Sequence, residues 1–80
     1  MNIKIVAFGI ARDIFGDSEI NFNIEKGTTI AELKEQITMS YPGFKKLVSF
    51  SIAVNQSYVP EEYAIESNDE IVIIPPVSGG

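Results

Sequence analysis

No cysteine and no histidine occur in this 80-residue chain. Without thiols there is no disulfide framework, no thiolate nucleophile and no zinc–thiolate site. Without imidazole the commonest general base and metal ligand is missing, so the chain is not expected to catalyse a reaction by itself. Basic residues are scarce, six against eleven acidic ones, for a net charge of −5. Nucleic-acid binding draws its affinity from Lys and Arg neutralising phosphates, so that class is excluded. A basic partner suits this charge better. No apolar run approaches the roughly 20 residues that a membrane span needs, and Met1-Asn2-Ile3-Lys4 does not open a signal peptide. What remains is a cytoplasmic, disulfide-free domain with an ordinary apolar fraction of 45%.

Hydrophobic spacing gives the order of elements. Asn2 to Phe8 alternates as a strand, with Ile3, Ile5 and Ala7 on one face and Lys4, Val6 and Phe8 on the other. Apolar residues on both faces imply a central strand, or one whose outer face meets a partner. Residues 9–16 read as a loop bounded by Gly9 and Gly16, with Ile14 and Phe15 tucked over the core. From Glu19 to Glu25, Ile20, Phe22 and Ile24 alternate strictly with polar residues, a strand wet on one side. Lys26-Gly27 supplies a turn. Thr29-Ile30-Ala31-Glu32 then has the form of a capping box, and Ile30, Leu33, Ile37 and Tyr41 recur at helical spacing. Tyr41-Pro42-Gly43 ends that helix, because the residue before proline avoids helical geometry.

Three short strands follow. Phe50, Ile52 and Val54 alternate with Ser51 and Ala53; Asn55-Gln56 turns into Ser57-Tyr58-Val59; Glu70 to Ile74 is the last. Tyr63 and Ile65 anchor the acidic connection, and Asn68 is suited to a left-handed turn. The order β-β-α-β-β-β in so short a chain implies an α+β domain, one mixed sheet around one main helix. It spans residues 1–74, with 75–80 as an extended tail.

The tail holds the chemistry. Pro75-Pro76 ends the last strand, since proline has no N–H for a ladder and fixes φ. Pro75, Pro76, Val77, Ser78, Gly79 and Gly80 carry little bulk and would reach about 20 Å when extended. Two glycines let the tip pass where no side chain fits. By itself, Gly79-Gly80 is as compatible with a frayed end as with a functional one.

The whole ending, Asp69-Glu70-Ile71-Val72-Ile73-Ile74-Pro75-Pro76-Val77-Ser78-Gly79-Gly80, resembles the terminal signature of the small subunits of molybdopterin synthase. Ile5-Val6-Ala7-Phe8 leading to Ala11-Arg12-Asp13 and Gly16, Gly27-Thr28-Thr29-Ile30-Ala31-Glu32-Leu33, and Ala53-Val54-Asn55-Gln56 are similar to that family in the same order. Asn68 stands where the family usually has glycine. The resemblance implies a β-grasp (ubiquitin-like) fold and a sulfur carrier rather than an enzyme.

In such carriers the carboxylate, here that of Gly80, is adenylated with ATP by an E1-like enzyme. A sulfur donor protein then converts it to a thiocarboxylate. The tail next delivers its sulfur to cyclic pyranopterin monophosphate inside the large synthase subunit. The resemblance further implies a heterotetramer of two small and two large subunits, with Phe8, Tyr58 and Ile74 as an apolar docking patch and Arg12 as a polar contact. No tightly bound cofactor and no metal are expected; Glu61-Glu62 and Glu66 read as solvated acids, and Lys45-Lys46 as a solvated pair. A thiamin-pathway sulfur carrier, a ubiquitin-like protein modifier and an adaptor with an inert tail remain the alternatives.

Overall fold

A computed structural model describes residues 1–47 and 50–75. Strand β1 (Asn2–Ala7) pairs antiparallel with β2 (Glu19–Asn23) and parallel with β5 (Glu70–Ile74). On its other side β5 pairs antiparallel with β3 (Ser51–Val54), which turns into the two-residue β4 (Ser57–Tyr58). The sheet order is β2-β1-β5-β3-β4, so the first and last strands lie side by side in its middle. That mixed pairing is the β-grasp arrangement that the family resemblance implied.

Helix α2 (Ile30–Ser40) crosses one face of the sheet. Its start is fixed by the expected capping box: the Glu32 N–H donates to Thr29 Oγ1 at 3.2 Å, and the Thr29 N–H donates to Glu32 Oε1 at 2.9 Å. Ile30, Leu33 and Ile37 point inward and meet Ile3, Ile5, Ile52, Val54, Ile71 and Ile73. Ile5, Leu33, Ile37, Ile71 and Ile73 have no exposed surface. After Tyr41 the chain makes one tight 3₁₀ turn, Pro42–Lys46, that buries Phe44. Phe15, Tyr41, Phe44 and Phe50 form a chain of aromatic contacts with centroids 4.7–5.0 Å apart.

Two expectations need correction. Residues 9–16 are not a loop: Gly9–Phe15 is a short helix, α1. Ala11, Ile14 and Phe15 have helical spacing, and α1 buries Ala11 fully while half-burying the other two. Seven residues are too few for that spacing to stand out, whereas the flanking glycines signal a break. Gly16 does mark one, capping the helix in the left-handed region at φ 83° and donating to Arg12 O. Asn68 is not left-handed either. Among the described non-glycine residues only Asn55 and Gln56, in the β3–β4 turn, have positive φ.

Candidate functional site

The tail leaves from the middle of the sheet. β5 is hydrogen-bonded to β1 on one side and β3 on the other, and the ladder ends at Ile74, one residue before Pro75. Pro75 is half-buried beside Gly9, whose φ is +52°. A Cβ on Gly9 would lie 3.8 Å from the proline ring, an ordinary contact, so the backbone angle rather than space favours glycine there. A tail starting from a central strand has a rigid base. The remaining predicted tail residues, Pro76, Val77, Ser78, Gly79 and Gly80, lie outside the described residues.

Around that exit the outer face of the sheet is partly apolar. Register puts Val6, Val72, Ala53 and Tyr58 in one row across four strands, on the side away from α2. Tyr58 is 71% exposed at the edge and Phe8 is 57% exposed just past β1. The parallel register, continued one step, sets Phe8 abreast of Ile74. Ile74 is half-buried and faces away from the core, unlike Ile73 beside it. Arg12 is exposed on α1, and its N–H donates to Phe8 O at 3.2 Å. The structure therefore brings Phe8 and Ile74 together at the tail base and places Tyr58 further along the same face. Val6 lies on the face that strand parity gave to Lys4 and Phe8, whereas Val72 was missed as a member of it, because its side follows only from the pairing of β5 with β1.

A second polar cluster sits at the other end of β5. Asp69 is only 7% exposed. Its Oδ1 accepts from Asn55 Nδ2 at 2.9 Å; its Oδ2 accepts from the Tyr63 hydroxyl at 2.8 Å and the Glu66 N–H at 2.9 Å. Burial works to raise the Asp69 carboxyl, but the bonds from Glu66, Tyr63 and Asn55 outweigh it and hold the group below the usual aspartate value. This carboxylate therefore favours the folded state above the ordinary pKa of 3.8, a contribution lost as pH falls through the lower folded value. Tyr63 is shifted upward, first by its hydrogen bond to Asp69, then by burial and by the charges of Asp69 and Glu66. Its contribution is complete below 10.0 and is lost as pH rises through the raised value.

The remaining acids and bases form no catalytic cluster among the described residues. No group of three metal-ligating side chains converges there. Glu61 pairs with Lys34 Nζ at 2.8 Å, while Glu62, Glu66, Lys45 and Lys46 are exposed. An open groove lined by Met1, Asn23, Glu25 and Glu32 lies at the opposite end of β1 from Pro75. No described helix is long and apolar enough to cross a membrane.

A mixed sheet with the first and last strands paired in its middle and one main helix across its face defines a β-grasp (ubiquitin-like) domain. The chain belongs to the ThiS family, whose pattern matches residues 5–80. A relative from Chlamydomonas reinhardtii, named molybdopterin synthase sulfur carrier subunit, is 34% identical over all of both chains. A candidate molybdopterin converting factor subunit 1 from Pyrococcus furiosus has the same fold, with a TM-score of 0.87 and 26% identity over 96% of this chain and 99% of that one. A chain of a Helicobacter pylori complex of subunits 1 and 2 of molybdopterin-converting factor superposes with a TM-score of 0.67, at 23% identity over all of both chains.

Proposed function

We propose that this chain is the sulfur-carrier subunit of a molybdopterin synthase. The observation that carries this reading is the end-to-end match to a relative of that name. The central-strand exit at Pro75 supports it, because a tail meant for a closed active site needs a fixed origin. The Gly80 carboxylate is the reacting group. At neutral pH a carboxylate is an unreactive anion, so an E1-like enzyme first joins it to AMP from ATP and releases pyrophosphate. Sulfur from a donor protein then displaces AMP and leaves a thiocarboxylate. In the large subunit's active site this sulfur passes to cyclic pyranopterin monophosphate, and two such transfers build the dithiolene that holds the metal.

Gly79 gives the tip access and Pro75-Pro76 reduce the entropy lost on threading. Phe8, Ile74 and Tyr58, with Arg12, form the docking face for the large subunit, in an assembly of two small and two large chains. The lack of cysteine and histidine does not oppose this, because the partners supply the sulfur nucleophile and the acid–base groups. Intact-mass analysis after incubation with the activating enzyme, ATP and a sulfur source is the test. Exchange of one terminal oxygen for sulfur is expected, and deletion of Gly80 should abolish it. Cofactor synthesis that survives the deletion overturns the proposal, and ladders of conjugates on other proteins would favour a protein modifier.

A further inference from the structure

The β3–β4 hairpin should be poorly held by its own pairing. β4 has two residues, both exposed, and contributes only the pairs Ala53–Tyr58 and Val54–Ser57. Its two-residue turn puts both Asn55 (φ 51°) and Gln56 (φ 69°) in the left-handed region. Such loops prefer glycine at the second position, and glutamine there is strained. An edge hairpin of this kind is marginal without further support.

Asn55 provides that support through three hydrogen bonds to the start of β5. Its Nδ2 donates to Asp69 Oδ1 at 2.9 Å, its Oδ1 accepts from the Glu70 N–H at 2.9 Å, and its own N–H donates to Glu70 O at 2.9 Å. Asp69 is in turn fixed by the Tyr63 hydroxyl and the Glu66 N–H. No described buried side-chain polar atom lacks a partner, so the cluster is fully satisfied.

We propose that Asn55 and Asp69 are positioning residues for partner recognition: their clamp fixes the hairpin and thereby presents Tyr58 on the docking face. This rests on the carrier reading above. Neither residue is on that face; they act through Tyr58, three residues beyond Asn55. Aromatic anchors contribute most when they are ordered before binding.

Asn55→Gly tests this directly. Glycine accepts the positive φ, so the turn remains possible while both side-chain arms are lost. Backbone ¹⁵N relaxation should then show added motion confined to residues 55–58. The KM of the carrier with its activating enzyme and with the large subunit should rise on the order of tenfold at unchanged kcat. Tyr63→Phe removes a bond to the same carboxylate without touching the hairpin, and should leave both readouts as in the wild type. Asp69→Ala, which removes the acceptor of Asn55 Nδ2, is the second clamp variant and should loosen residues 55–58 as Asn55→Gly does. A hairpin as rigid in Asn55→Gly as in the wild type overturns the proposal. So does a KM that changes equally in Tyr63→Phe and Asn55→Gly, which marks a general loss of stability. If the wild type never acquires sulfur, the carrier reading fails instead, and the relaxation measurement still decides whether the clamp orders Tyr58.

Discussion

The two faces of the sheet are built from the same strands, and neighbouring residues in one strand have opposite fates. On the inner face Ile20, Ile5, Ile71 and Val54 line up across the sheet under α2, and Ile5 and Ile71 are completely buried. One residue along, Glu19, Val6, Val72, Ala53 and Tyr58 form the matching outer row. In that row Glu19 and Tyr58 are exposed, Val6 and Val72 are half-buried, and the small Ala53 is buried. The inner face is apolar because folding requires it. The outer face has no such requirement, yet its centre is apolar and its tail end carries Phe8 and Ile74. Apolar surface that folding does not use is available for recognition.

The strongest way to break this comparison is to truncate adjacent residues of β5. Ile71→Ala should destabilise the domain by about 2–5 kcal/mol, the usual cost of such a core cavity. At 4–8 °C per kcal/mol for a domain of this size, the thermal midpoint should fall by roughly 10 °C or more. Val72→Ala, one position away on the half-exposed face, should cost less than about 1.5 kcal/mol. Thermal denaturation of both variants checks this. Equal losses would mean that the outer face is as much a part of the core as the inner one.

Phe8→Ala should show the reverse pattern. Phe8 is 57% exposed, so little packing is lost and the melting midpoint should move by only a few degrees. Affinity for the large synthase subunit should fall by about tenfold or more, as for a buried aromatic anchor. Calorimetric titration of the two subunits reads this. A Phe8→Ala protein that binds normally would remove the outer face from the proposed interface.

These contrasts were only partly legible in the sequence. The alternation in β1 and β2, the capping box at Thr29 and the stop at Pro75 each follow from local chemistry, and each appears where its residues place it. The apolar run Ile71-Val72-Ile73-Ile74 told of a strand with two apolar faces, but not which face met α2; that depends on pairing with β1 and β3, which lie far away in the chain. Helix α1 was hidden because its buried face is only three residues long. The Asp69 cluster was hidden for a related reason. Asn55, Tyr63 and Glu66 are ordinary turn and loop residues until the fold brings them to one carboxylate, and the left-handed form suited to Asn68 is taken by Asn55 and Gln56 instead. The family resemblance placed Phe8, Ile74 and Tyr58 on a contact patch, and the register sets all three on one sheet face.

The smallest expected effect concerns the charged margin of that face. Lys4 Nζ lies 3.8 Å from Glu19 Oε2, with both side chains more than half exposed, at 58% and 55%. Solvent screens such a pair and its side chains lose rotamer freedom, so its coupling should be about 0.5 kcal/mol or less. A double-mutant cycle of Lys4→Ala and Glu19→Ala, measured by denaturation at low and high salt, should find it near zero at the higher ionic strength. A coupling above about 1 kcal/mol that persists in salt would mean that this margin is organised as tightly as the inner face. A negligible value would leave the outer face with no strong interactions of its own along this edge, as the proposed docking role of its apolar centre requires.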